Sequence, residues 1–337
     1  MKKITIAGNS LVDIIKRIDE YPQKGMLSKI GSVIPGVGGA VPNTGITLKC
    51  LDPQGIDVSA ATRIGRDENG RYMRSVFEKY GIGTERLTED AHLPTSFSDV
   101  MTLPNGERTI FCAAAANDAF CEEDVGVDTL DCEIFHIGYL LLLGALDAPD
   151  EEYGTKMARL LAHVQARGIK TSVDVVSAEG ERFREVVTPA LRYCDYIVVN
   201  EIEAGRIAGI PLREGDRLLT ENLKTVCCFL REVGVKNTVT VHCPELGCSL
   251  DADGNFTVVP SLELPKDYIV GAVGAGDAFC AGMLYSFLFG MNVEEGLRLA
   301  SCTAACNLSA ADSIGGARSI KETLALETKF KRRRTAR

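Results

Sequence analysis

Six short runs rich in β-branched residues recur along the chain: "KITIAG", "VSAATRIG", "EIFHIG", "IKTSVDV", "DYIVVN" and "NTVTVH", each followed by helical patterning. Strands alternating with helices are the mark of parallel strands joined by crossover helices. The expected fold class is therefore α/β, a three-layer sandwich with a mostly parallel central sheet flanked by helices. One crossover is explicit in "EEYGTKMARLLAHVQARG", where Tyr153, Met157, Leu160, Leu161 and Val164 share a helical stripe and Gly168 supplies the stop.

Two stretches break the rhythm, at about 10–36 and 93–116, where apolar and polar residues alternate between Pro and Gly turns. In the second, Asn105-Gly106 is a strong hairpin signal. Both read as strands of a small β-sheet lid set on the main sheet. No linker or internal repeat divides the chain, so residues 1–330 are expected to form one domain, with 331–337 a basic tail.

The formal net charge of −9 argues against nucleic acid and anionic membrane as partners, since both need clustered Lys and Arg. The final "KFKRRRTAR" is the exception, read as a solvated, frayed terminus. Twelve cysteines show no C-x-x-C spacing, which points to small buried apolar residues in a reducing, cytoplasmic setting. The N-terminal stretch turns polar at Asn9 and Asp13, unlike a signal peptide, and runs such as "FHIGYLLLLGAL" are too short to span a bilayer.

Ligands of open α/β sheets sit beyond the carboxyl ends of the strands. The residues there are polar: Asn9, Asp174, Asn200 and His242. The segment "GAVGAGDAFCAG", Gly271 to Gly282, has the glycine spacing of a P-loop but puts Asp277 where the lysine belongs and Ala278 where the hydroxyl belongs. It opens a helix that is apolar nearly all round and closes at Gly290. The amides at such a helix start suit an anion, whereas a carboxylate there would repel one. Asp277 is better placed to take a proton from a hydroxyl attacking phosphorus, while the dipole favours its ionised form. Taken alone, Asp277 is equally readable as a helix cap.

"GAGDAF" at the head of an apolar helix late in a chain of this size resembles the signature of the ribokinase-like (PfkB) family of sugar and nucleoside kinases. "GNSLVDI", "GVGGAVPNTG", "RIGRDENG", "NGERTIFCAAAAND", "VVNEIEAG" and "VTVHCPELGCSL" follow the family's order, so the resemblance covers almost the whole chain. It implies Asp277 as general base, with the Gly274, Ala275 and Gly276 amides as an anion hole. Asp13, Gly38, Gly39, Asn43 and Arg108 would hold the acceptor. Asn200, His242, Pro244, Gly247 and Ser301 would border ATP, and Asn200 with Glu203, the latter through water, would organise Mg²⁺. Each segment alone also has a plain reading: a turn for Asp13, a loop for Gly38-Gly39, a helix cap for Asn200 and Glu203, a solvated hairpin residue for Arg108.

Three departures stand out. Gly271 and Ala272 replace the family's Asp-Thr, a pair that helps a monovalent cation site, which undercuts K⁺ activation. His242-Cys243-Pro244 stands where a Thr-Leu-Gly turn is common, and Leu11 stands where ribose kinases carry a polar residue, weakening the case for ribose itself. The implied activity is ATP-dependent phosphorylation of an alcohol group of a small sugar or sugar-like acceptor. An adenosine-like nucleoside is the alternative acceptor, and a catalytically silent small-molecule sensor is a rival class. A dinucleotide oxidoreductase fits poorly, because "AGNSLVD" lacks G-x-G-x-x-G. An exposed lid sheet is also an expected homodimer surface.

Overall fold

The computed structural model describes residues 1–176 and 182–334. Its centre is a nine-stranded sheet built from β1 (Lys2–Gly8), β4 (Ile56–Gly65), β5 (Gly83–Asp90), β8 (Ile134–Leu140), β9 (Lys170–Val175), β10 (Tyr196–Asn200), β11 (Thr238–His242), β12 (Leu246–Leu250) and β13 (Phe256–Pro260). The order is β13-β12-β11-β10-β9-β8-β1-β4-β5, parallel from β11 to β5, with the antiparallel pair β12 and β13 closing one edge. All six β-branched runs are strands of this sheet. Their near-continuous burial, as in β10 and β11, is what strands covered on both faces require.

Helices cover both faces. α1 (Ala40–Leu51), α2 (Glu68–Tyr80), α7 (Ala275–Phe289) and α8 (Val293–Leu308) pack one side with Ile6, Val58, Phe77 and Met283 in their core. α3 (Lys156–Ala166), α4 (Phe183–Leu191), α5 (Glu201–Ala208) and α6 (Thr220–Val233) pack the other around Phe135, Leu161, Val187 and Leu230. The predicted stripe lies on α3, which buries Met157, Leu160, Leu161 and Val164, while Tyr153 falls just before the helix. Gly168 adopts φ +79°, the left-handed conformation of its stop role. α7 is buried on nearly every face and ends at Gly290, φ +63°.

The lid is a four-stranded sheet, β3-β2-β6-β7, of β2 (Leu11–Ile18), β3 (Ile30–Gly38), β6 (Phe97–Thr102) and β7 (Arg108–Ala113). The Asn105-Gly106 signal marks the β6–β7 hairpin, with Gly106 at φ +86°. β2 leaves the end of β1 after Asn9 and Ser10, so the lid rises directly from the carboxyl edge of the central sheet.

The basic tail is ordered as far as it is described, contrary to the frayed expectation. Glu263 N–H donates to Lys331 O at 2.8 Å and Arg333 N–H to Ser261 O at 2.9 Å, making a short extra pairing beside β13. The Arg332 guanidinium donates to Pro260 O and to Ser301 Oγ and pairs with Glu327. Charge-assisted bonds from a planar guanidinium to three fixed acceptors hold residues 331–333 in place. Residues 335–337 of the predicted tail lie outside the described residues.

The twelve cysteines are all free, eleven of them at least half-covered and Cys112 exposed on the lid. Among the described residues no helix is long and apolar enough to cross a membrane.

Candidate active site

The carboxyl ends of β8 to β11, the start of α7 and the root of the lid meet at Asp277. Gly274 precedes α7 at φ +80°, and a Cβ there would stand 2.8 Å from Ser313 Cβ and Ser313 O. Glycine is therefore the residue that lets the chain turn into the helix against the Ser313 loop. Ser313 Oγ in turn donates to Val37 O at 3.0 Å, tying this turn to the last residues of β3.

Asp277 is 5% exposed. Asn43 Nδ2, from the first turn of α1, donates to Asp277 Oδ2 at 2.9 Å, and the Tyr139 hydroxyl at the end of β8 donates at 2.7 Å to the same carboxylate, within reach of both oxygens. Burial pushes the Asp277 pKa up to about 7, and the charge of Asp174 at the end of β9 adds to the rise, while Asn43, Tyr139 and His136 oppose it. The helix dipole, expected to favour the ionised form, is here opposed by burial and by Asp174. Desolvation and a like charge outweigh one helix terminus. Tyr139 itself is pushed well above the ordinary tyrosine range by burial and by Asp277, so it stays a donor.

Two cavities flank this carboxylate. The smaller, of about 250 Å³, is lined by Asp277, Tyr139, Asp174, Asn200, Glu203, His242, Gly274, Gly276 and Cys280. The larger, of about 490 Å³, is mainly apolar and runs between α7, α8 and the 261–269 segment, with Pro244, Ala275, Phe279, Ser301 and Arg333 among its walls. Asn200, His242 and Gly276 border both. The first-turn residues Gly274, Ala275 and Gly276 therefore face the cavities at the end of a helix whose dipole favours anions there.

Asn200 and Glu203 fulfil the plain reading and also stand at the cavity. Asn200 caps α5 by accepting from the Ile202 and Glu203 amides, and the Glu203 carboxylate returns to the Asn200 amide at 2.9 Å and to Asn200 Nδ2 at 2.7 Å. His242 stacks on Phe279 at 4.7 Å between ring centroids, and burial lowers its pKa to about 4, so it presents a neutral ring. Pro244 and Ser301 line the larger cavity, the latter with its Oγ accepting from Arg332. Gly247 does not border either cavity. It lies in β12 beneath Phe279, where a Cβ would come within 2.8 Å of the ring.

The predicted acceptor residues gather at the lid root. A Cβ on Gly38 would meet Asp13 Oδ2 at 2.5 Å, and one on Gly39, φ +92°, would meet Asn9 Oδ1 at the same distance. Gly39 is thus required by its φ and by the Asn9 backbone oxygen at 2.7 Å, whereas a Cβ on Gly38 would displace the ends of the Asp13 and Leu11 side chains. Asp13 has its pKa raised by burial, with Ser98 and the charge of Arg108 pulling the other way, which places these three groups in one neighbourhood. Asn43 is the bridge between this group and Asp277, rather than a member of the lid. Asn9 Oδ1 and Asn43 Oδ1 are buried without a hydrogen-bond partner.

Tyr139 and Asp174 complete the site but were not assigned roles by sequence reading. Asp174 is visible there as a polar strand end, whereas Tyr139 hides inside the apolar run "FHIGYLLLLGAL".

The family model for pfkB family carbohydrate kinases matches residues 1–319. Among characterised proteins, the 2-dehydro-3-deoxygluconokinase of Escherichia coli (strain K12) is 25% identical over 313 residues, covering 90% of this chain and 94% of its own. The structure of Arabidopsis thaliana ribokinase complexed with ribose and ATP superposes with a TM-score of 0.79 at 19% identity, covering 96% of this chain and 98% of that one. A putative ribokinase II from E. coli, in complex with ATP and Mg²⁺, gives 0.77 at 18% identity, with 98% and 100% covered. With the motif order, the nine-stranded sheet and its lid all in agreement with that model, this chain belongs to the pfkB family of carbohydrate kinases.

Proposed function

We propose that this kinase transfers the γ-phosphoryl group of ATP to an alcohol group of a small sugar or sugar-like acceptor, with Asp277 as general base. The observation that carries the reading is the placing of Asp277, buried, clamped by Asn43 and Tyr139 and open to a cavity, where burial pushes its pKa up to about 7. A base of that pKa accepts a proton at neutral pH while retaining enough basicity to drive the transfer. As the acceptor oxygen attacks phosphorus, its proton passes to Asp277, and the amides of Gly274, Ala275 and Gly276 stabilise charge on the phosphoryl oxygens.

The larger cavity suits the nucleotide, its apolar walls taking a flat base and the neutral His242 ring standing between base and phosphates. Mg²⁺ fits the donor set of the smaller one: oxygen ligands are available from Glu203 and Asn200, and because the Glu203 carboxylate is committed to the helix cap, contact through water suits it. When bound, the ion neutralises charge on the phosphates. Asp13, Gly39 and Arg108 orient the acceptor, and closure of the lid keeps water from competing for the phosphoryl group.

The test is a coupled ADP-release screen over pentoses, hexoses, sugar acids and nucleosides, with Asp277→Asn as the control. A sugar or sugar acid that drives ADP release, with turnover reduced on the order of 10²-fold or more in the variant while ATP still binds, is the expected result. Near-normal turnover of Asp277→Asn removes the base assignment. A response to nucleosides alone redirects the acceptor, and ligand binding without ADP release makes the chain a sensor.

A further inference from the structure

Behind Asp277 lies a cluster in which the phosphoryl-transfer reading uses Asp174 and His136 only as neighbours that tune the base and Cys280 not at all. His136 (β8), Asp174 (β9) and Cys280 (α7) bring one ligand atom each to within 4.8 Å of one another, all three buried. His136 Nε2 stands 3.4 Å from Asp174 Oδ2 and 3.8 Å from Cys280 Sγ. Tetrahedral zinc, with its usual bond lengths, sets its N and O ligands about 3.3 Å apart and its N and S ligands about 3.5 Å apart. The two separations from His136 are therefore close to those a single ion imposes, while Asp174 and Cys280, within 4.8 Å of each other, would draw together on binding.

Two further observations point to a ligand. Among the described residues, Asp174 Oδ1 is buried with no hydrogen-bond partner, the residue as a whole being 6% exposed. The other ring nitrogen of His136, Nδ1, lies 3.0 Å from Ser172 Oγ. In the tautomer that donates from Nδ1 to that hydroxyl, Nε2 is the nitrogen free to bind an ion beside Asp174 and Cys280, the outer-sphere arrangement that orients metal-bound histidines. Entry is open, since Asp174 and Cys280 both line the smaller cavity.

We propose that His136, Asp174 and Cys280 form a binding site for a thiophilic divalent cation, Zn²⁺ or Cd²⁺, distinct in chemistry from the oxygen donors that suit Mg²⁺. One imidazole nitrogen, one carboxylate oxygen and one thiolate make a three-ligand set with a fourth position facing the cavity. Binding breaks the Cys280 S–H bond and the O–H bond of the buried, protonated Asp174 carboxyl, forms the metal–sulfur and metal–oxygen bonds and releases both protons to solvent. Cys280 follows Asp277 by three residues on α7, one helical turn, so a bound ion lies against the carboxylate that serves as base. Inhibition by the ion is the functional consequence, and that consequence alone rests on the kinase reading.

The experiment titrates the full chain, stripped with a chelator, with Zn²⁺ against a chromophoric competitor, and with Co²⁺ by absorption. Wild type is compared with Cys280→Ala, Asp174→Asn and, as a control, Cys112→Ala, with circular dichroism on each. One tight equivalent, a tetrahedral Co²⁺ spectrum carrying a thiolate charge-transfer band, and at least the ~10–100-fold affinity loss typical of a disturbed metal site in the first two variants only, are the expected results. Absence of tight binding in wild type, or equal binding by folded Cys280→Ala, overturns the site. Should both variants fail to fold, the wild-type Co²⁺ spectrum decides, a purely oxygen–nitrogen spectrum overturning it. Zn²⁺ is then added to the ADP-release assay in excess Mg²⁺, where inhibition is relieved in Cys280→Ala. A chain that binds Zn²⁺ but never releases ADP keeps the metal site and loses only the kinase reading.

Discussion

The charged form of Asp277 is disfavoured by desolvation and by Asp174, and is supported by bonds from Asn43 and Tyr139. Activity is accordingly expected to rise about tenfold per pH unit below a midpoint near 7 and to level above it, read as kcat/KM across pH 5 to 9. Asp174 is itself pushed well above the ordinary carboxylate range by burial, so Asp174→Asn, which removes whatever charge it carries, moves that midpoint down only slightly. Tyr139→Phe moves it up and lowers kcat by roughly tenfold, the worth of one hydrogen bond to a charged group. The same shift has a stability counterpart: with a raised native pKa, the contribution of Asp277 is fully present below about pH 4 and is lost as pH climbs through 7. Asp277→Asn should therefore raise Tm at pH 8 by roughly 3 °C or more and leave little difference at pH 4. The sequence placed Asp277 on a helix start, but not the balance that sets its pKa, because Tyr139 and Asp174 reach it from two other strands. Asn43 shows the same limit. Its motif was readable, yet its contact with Asp277 spans 234 positions of the chain.

At the scale of elements, the strands with near-unbroken β-branched runs were readable because burial on both faces leaves no polar alternation to confuse them. The edge strands β5 and β13, and β12 beside the latter, were less so, being short or mixed in character. In the lid, the β6–β7 hairpin announced itself through Asn-Gly, whereas the parallel pairing of β2 with β6 did not, since it joins Val12 to Phe97 with no local turn chemistry to report it. The basic C-terminal segment was misread for a related reason: charge composition suggests solvation, but Arg332 finds Glu327, Pro260 and Ser301 only once the chain has folded. Because Arg333 and Ser301 also line the larger cavity, Arg332→Ala should raise KM for ATP severalfold while leaving the acceptor's KM nearly unchanged, measured by initial rates with each substrate varied in turn.

For the whole molecule, the crossover topology brings the polar ends of β8 to β11 to one edge and sets the lid above it, so that most of the chemistry sits where the sheet stops. The lid leaves Val33, Ile34, Ile110 and Phe111 exposed, an apolar surface uncommon on an isolated sheet. Sedimentation is expected to show a homodimer that Phe111→Glu shifts toward monomer; an unchanged mass in the variant would place any interface elsewhere. A last consequence concerns the shared wall formed by Asn200, His242 and Gly276. Since the two hollows adjoin along these three residues, a bivalent inhibitor pairing a flat aromatic head with a short acidic spacer would thread both at once, and tethering the halves would raise avidity well beyond either fragment used alone.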